Sequence, residues 1–167
     1  ATGAMNGLQM VGAIGAMLLA FIALIAMLNG MLEAAGALVG LEQLTLERVL
    51  GGLLQPLAWA LGVPWNEAQL AGSLIGQKFI LNEFVAYVSY SEIADQLSPH
   101  AQAIVIFALC GFANLSSIAI LLGGLGAVAP SRRDDISRYG MRALIAASLS
   151  NLMSAALAGF FLSLGGL

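Results

Sequence analysis

The chain has 167 residues, 60% of them hydrophobic and 9% charged, with 20 glycines and a mean hydropathy of +0.93. Soluble domains run near ~25% charged and roughly 45 to 50% apolar, so six Lys and Arg and nine Asp and Glu are too few to coat a soluble surface, and a lipid-facing one is implied. One cysteine (Cys110) and one histidine (His100) exclude a disulfide framework and a Cys/His zinc site, and a net charge of -3 with a pI near 4.9 supplies no basic field for nucleic acid.

A spanning helix takes roughly 20 apolar residues, which makes charge-free intervals the natural units. The first runs from Ala1 to Leu32, and its densest part, Ala16 to Leu28, is apolar all round. This predicts a transmembrane helix over Leu8 to Met31. Residue 1 is Ala and no signal-type n-region leads into this run, so the chain is expected to be a piece of a longer protein. Glu33, Glu42, Glu47 and Arg48 mark an aqueous or interfacial connection, with Gly36 and Gly40 as helix breakers.

Thr45 to Leu61 is expected to form a second helix, with Thr45 as N-cap and Glu47 in the first turn. Pro56 kinks it and Gly62-Val63-Pro64 stops it. It is barely long enough to span, and an interfacial helix is the alternative. Trp59 and Trp65 sit where an aromatic belt meets water.

The third region, Asn66 to Pro99, carries Lys78, Asn82, Glu83, Glu92 and Asp95 in a stretch too short for two full spans. Two half-length helices fit, Glu67 to Ile80 and Val85 to Gln96, around a turn at Leu81 to Phe84. The result is a re-entrant hairpin with its tip at membrane depth. Non-helical backbone survives there only where protein or a water-filled cavity supplies hydrogen bonds, so the tip implies a cavity.

The fourth region, Ala101 to Ala129, is charge-free but interrupted by the small and polar run Gly111 to Ser117. A broken helix exposes N–H and C=O groups that bind polar solutes and coupling ions; the alternative is a continuous helix whose small residues pack tightly against a neighbour. Arg132, Arg133, Arg138 and Arg142 hold four of the six basic residues, which makes this loop cytoplasmic by the positive-inside rule. The final span, Met141 to Leu164, then leaves the C-terminus external. The fold class is an all-α membrane protein, with two membrane helices in 1–65 and the hairpin, broken helix and final transmembrane helix in 66–167.

Glu83 is the sharpest chemical feature. An ionisable group at membrane depth costs at least ~2.5 to 3.5 kcal/mol on insertion scales, so it is paired or faces an aqueous path. As a solute contact it accepts hydrogen bonds from hydroxyls; as a structural group it pairs with Lys78 and closes the hairpin. Asn114 and Ser117 share a helical face, offering a fork of donors and acceptors with the Phe112 ring beside it, or else glue between helices. Cys110 reads as a small buried hydrophobe and His100 as a residue at a helix N-terminus. Ser148, Ser150, Asn151 and Ser154 read as helix-packing groups, of which Asn151 at mid-depth merits a test. No metal-ligand set is visible, and the lone His100 lies far from the serines at depth, so no hydrolase triad forms and no enzyme is expected.

Gly76-Gln77-Lys78-Phe79-Ile80-Leu81-Asn82-Glu83-Phe84-Val85-Ala86-Tyr87 resembles the signature G-x-K-x-x-x-N-E-F-V-A-Y of the concentrative nucleoside transporters. Gly111-Phe112-Ala113-Asn114-Leu115-Ser116-Ser117-Ile118 resembles the second motif of that family. The likeness continues through the Ala16 to Gly30 helix and the Gly123 to Pro130 stretch. It implies a homotrimer that imports nucleosides on a sodium or proton gradient, with this chain as the C-terminal half of an inverted-repeat transporter. Carried over by position, Glu83 is the ribose-hydroxyl acceptor with Asn82 beside it, Asn114 and Ser117 are further ribose contacts, and Phe112 is an apolar contact to the nucleoside. The family's first hairpin and first unwound helix have no match here, so the coupling-ion site is expected mainly outside this chain, with no other cofactor. A bacterial inner membrane is the expected setting. The competing reading is a non-transporting membrane scaffold in which Lys78 and Glu83 form a structural ion pair; a channel is disfavoured, because no ring of repeated carbonyls or charges is visible.

Overall fold

The computed structural model describes residues 2–38, 40–41, 44–115, 117–118 and 129–165, which form two compact units, Ala1–Leu46 and Glu47–Leu167. Glu42, Ser116 and most of the Gly123 to Pro130 stretch lie outside the described residues. Among those described, all regular structure is helical.

The first unit is dominated by α1 (Thr2–Leu38). Its 37 residues contain no proline, and the helix runs past the expected end at Met31. Gly36 does not break it. A Cβ there would meet the Leu41 carbonyl oxygen and sit 2.9 Å from Leu44 Cβ, so Gly36 serves a close approach. The turn is made at Gly40, whose φ of +73° suits glycine. Leu41 N–H donates back to the Gly36 carbonyl at 2.9 Å, which is the long bond of a Schellman cap.

In the second unit, α2 (Leu46–Ala60) ends at Gly62, where φ is +105°, and α3 (Trp65–Ile80) begins after Pro64. Gly51, Gly72 and Gly76 let these two helices touch backbone to backbone. A Cβ on Gly72 would stand 2.9 Å from both Gln55 N and Leu54 C, and one on Gly76 2.8 Å from Leu50 Cβ. Small residues four apart commonly make such contacts between membrane helices. Because α2 packs on the hairpin in this way, the compact unit takes in residues 47–65 together with 66–167.

A helical hairpin is present as α3, a turn, and α4 (Glu83–Ile93), followed by a 3-10 turn over Ala94–Gln96. The turn is tighter than Leu81 to Phe84. Asn82 Oδ1 accepts from Val85 N–H at 2.9 Å, capping α4, so Glu83 and Phe84 already belong to its first turn. Ser89 Oγ donates to Gln77 Oε1 at 2.7 Å, joining the two arms. At the open end, Ser98 N–H and Oγ–H donate to Glu67 Oε2 at 2.8 and 2.9 Å. Ser98 also caps α5 (Pro99–Leu109), with Pro99 at its start and His100 in its first turn, as the sequence predicts.

The last helix, α6 (Arg133–Leu164), starts eight residues before Met141, because Asp134 and Asp135 suit the positive end of its dipole and Arg132 pairs with Asp135. Its Ser137–Leu164 portion is long and apolar enough to cross a membrane. The core joins Leu74 and Ile75 of α3, Ile104 and Ala108 of α5, and Leu152 and Ala155 of α6. Gly159 leaves room for the Ile104 side chain of α5, since a Cβ there would lie 2.6 Å from Ile104 Cδ1.

Candidate functional site

The expected break lies between α5 and a helical segment that resumes at Leu115, with Cys110 to Asn114 non-helical between them. Asn114 caps the resumed helix. Its Oδ1 accepts from Ser117 N–H at 2.9 Å, while Ser117 Oγ accepts in return from Asn114 N–H at 3.3 Å. This reciprocal pair has the logic of a capping box, with serine in the place of glutamate. Ser117 Oγ also lies close to the Phe112 carbonyl, to which it donates.

The hairpin tip meets this break. Asn114 Nδ2 donates to Glu83 Oε2 at 3.0 Å, so residues 31 apart in sequence share one polar junction. Glu83 opens α4 and Asn114 precedes the resumed helix, which brings two helix N-termini to the same place. A carboxylate in the first turn of α4 is favoured by that helix's dipole. Having some four lone-pair positions, an ionised carboxylate keeps acceptor capacity for hydroxyls after taking the Asn114 bond.

Phe112 is exposed and, with Ser117, faces a cavity of about 500 Å³ closed on the other side by Gly140, Ala143, Ala147 and Ser150 of α6. Its size lies within the common range for small-molecule sites, ~300–1,000 Å³. Asn82, Glu83 and Asn114 are not among its walls. Of the five residues singled out from sequence, Glu83, Asn114 and Ser117 are thus joined by hydrogen bonds. Phe112 is tied to them through its carbonyl, and Asn82 is engaged as a cap.

Two expectations are corrected. Lys78 is fully buried but does not pair with Glu83; its Nζ donates to Asn151 Oδ1 of α6 at 2.8 Å and stands 4.7 Å from the Phe79 ring centre. The physical reason is reach: Lys78 ends α3 on the side where α6 packs, while Glu83 begins α4 and is drawn to Asn114. Cys110 is exposed rather than buried, because the chain leaves the helix at that residue, and its Sγ lies 3.3 Å from the Tyr87 hydroxyl. Asn151 is the residue that sequence reasoning underrated; a lone amide in an apolar helix was the available signal. Among the described residues, no group of three or more His, Cys, Asp or Glu could hold a metal ion.

Interrupted helices whose ends meet at a polar junction are how many secondary transporters build a solute site. The chain belongs to the family described as Na+ dependent nucleoside transporter C-terminus, whose model matches residues 1–159, and it is accordingly part of an integral membrane protein. It is 56% identical over 97% of its length to the uncharacterised transporter YutK of Bacillus subtilis, and 52% identical over 98% to the putative nucleoside permease NupX of Escherichia coli. The sodium/nucleoside cotransporter 1 of Rattus norvegicus is 37% identical over 94% of the chain and 26% of its own length. These relatives are transporters and permeases, not enzymes. The structure of CNTnw in an inward-facing substrate-bound state superimposes with a TM-score of 0.96 at 54% identity, over 99% of this chain and 41% of that one. The chain spans about two-fifths of the length of the bacterial relatives (40% of each).

Proposed function

We propose that the full-length protein imports nucleosides across a bacterial plasma membrane on a sodium or proton gradient, and that this chain supplies the C-terminal half of the nucleoside site. The observation that carries the reading is the 3.0 Å bond from Asn114 to Glu83, which joins the hairpin tip to the helix break. In this reading the Glu83 carboxylate accepts from sugar hydroxyls, Asn114 and Ser117 add further polar contacts, Asn82 offers its amide N–H groups, and Phe112 lies against the base or sugar. The hairpin is re-entrant, the chain is one half of an inverted repeat, and the working unit is a homotrimer in which the missing half brings most of the coupling-ion site. The exposed Trp59 and Trp65, packed edge to face with centroids 6.2 Å apart, favour a membrane interface at the α2–α3 connection, with the hairpin tip pointing inward from it.

The direct test is transport. Proteoliposomes of the full-length protein should accumulate uridine or adenosine under an inward sodium or proton gradient and stop when an ionophore collapses it. Accumulation of neither nucleoside under either gradient refutes the reading.

Orientation has its own test. The Arg132 to Arg142 segment should be cytoplasmic and the C-terminus external. A single cysteine replacing the exposed Ser131 in an otherwise cysteine-free protein should escape an impermeant thiol reagent applied to intact cells; strong labelling from outside reverses every segment.

Ser117→Ala removes one neutral hydroxyl contact, worth ~0.5 to 1.5 kcal/mol. Nucleoside affinity should therefore fall roughly two- to tenfold by calorimetry. Because the hydroxyl also completes the cap on the resumed helix, a small drop in thermal stability should accompany it. An unchanged affinity would remove Ser117 from the site.

A further inference from the structure

We propose that Asn151 is a positioning residue of the nucleoside site, which acts through Lys78 to hold the hairpin tip in register with the helix break. The inference rests on the reading of Glu83 as the nucleoside contact.

Asn151 touches three elements at once. Its Oδ1 accepts from the Lys78 ammonium at the end of α3 at 2.8 Å, and its Nδ2 donates to the Phe107 carbonyl near the end of α5 at 2.9 Å. The Phe107 carbonyl is one of the last four of its helix, a group that loses its helical partner where the chain breaks. The amide also lies hard against the break itself, since a Cβ on Gly111 would stand 2.5 Å from Asn151 Cγ and Oδ1. Any larger residue there would press the amide aside.

Lys78 is buried completely, and among the described residues no carboxylate comes within ion-pair distance of it. A neutral amide and the Phe79 ring face are modest compensation for a buried ammonium; an apolar pair of the same volume commonly stabilises a fold as well or better. Stability alone therefore does not account for the bridge. Its geometry does. Lys78 lies five residues before Glu83, on the opposite arm of the hairpin. The tip is thus fastened to the break twice, by Lys78–Asn151–Phe107 from the α3 arm and by Glu83–Asn114 from the α4 arm. With one fastening gone, Glu83 is free to shift against Asn114.

The test uses the full-length protein and three variants: Lys78→Met with Asn151→Leu, which removes the bridge without leaving a buried orphan; Glu83→Gln; and all three changes together. Uridine and adenosine affinities are read by calorimetry beside thermal unfolding. The bridge-free double variant should unfold near the wild-type temperature yet bind about tenfold more weakly, and in the Glu83→Gln background the same change should add less than about twofold, because both act through one contact. Wild-type affinity in the double variant, or losses that simply add, would make the bridge a structural device and overturn the proposal. A ligand-free measurement keeps the two readings apart. Amide hydrogen exchange over 81–85 and 111–115 should rise in the bridge-free variant, and unchanged exchange there overturns the proposal whether or not nucleosides bind. Silent Glu83→Gln with raised exchange would instead defeat the nucleoside assignment alone. If the double variant folds poorly, Gly111→Ala, which crowds the Asn151 amide while keeping both partners, must show the same weakened binding and raised exchange.

Discussion

Glu83→Gln in the full-length protein should weaken nucleoside binding about tenfold or more while leaving thermal stability close to wild type. Glutamine preserves the shape and still presents an oxygen to Asn114 Nδ2, so the 3.0 Å link between tip and break survives as a neutral bond. What disappears is the charge. Hydrogen bonds to an ionised group are worth ~1.5 to 3 kcal/mol against ~0.5 to 1.5 for neutral ones, and sugar hydroxyls are the donors that feel the difference. Lys78 keeps its own polar partner in the variant, because its hydrogen bond goes to Asn151. Calorimetry with a ribonucleoside and its deoxy analogues should show the preference for the intact ribose shrinking in the variant. Binding and transport equal to wild type would remove Glu83 from the site.

The second large effect is on folding. Gly72→Leu should cut yield and lower the unfolding temperature sharply, since its Cβ would stand 2.9 Å from Gln55 N and Leu54 C and 3.0 Å from Gly51 O. All three are backbone atoms and cannot rotate away, so α2 must retreat from α3. Overpacking of this kind typically costs ~1 to 3 kcal/mol, occasionally more. Gly52→Leu is the matched control. A Cβ at Gly52 meets nothing within 4 Å, and leucine favours helix by nearly ~1 kcal/mol over glycine, so that variant should match or exceed wild-type stability. Equal behaviour of the two in detergent would refute the close α2–α3 contact.

The hairpin was legible in the sequence, nearly to the residue, because its limits are written in local chemistry. Pro64 and Pro99 restrict the backbone on either side, and Lys78, Asn82 and Glu83 interrupt an apolar stretch too short to cross twice. The break after Leu109 was legible for a similar reason, and the three-residue spacing of Asn114 and Ser117 is that of a cap and the residue returning its bond. Local rules also mislead where a glycine serves packing. Gly36 reads as a breaker but lies inside α1, because a glycine's missing Cβ is as useful for close approach as for a turn, and only the backbone at Gly40 takes positive φ.

What pairs with what belonged to the tertiary structure. Lys78 and Glu83 are neighbours in sequence with opposite charges, and proximity along the chain suggests an ion pair. Each is instead drawn to a distant amide, Lys78 to one 73 residues away and Glu83 to one 31 residues away. Composition and spacing by themselves determined that this is a membrane-embedded helical protein with a polar hairpin tip and a polar helix break. They did so because burial in lipid makes every charge and every interruption costly, and therefore conspicuous. Which partner a buried ammonium finds depends on how the helices meet, with Gly111 pressed against Asn151 and Gly159 against Ile104. No local pattern encodes that choice, since a close contact requires two surfaces to fit and the sequence displays only one of them at a time.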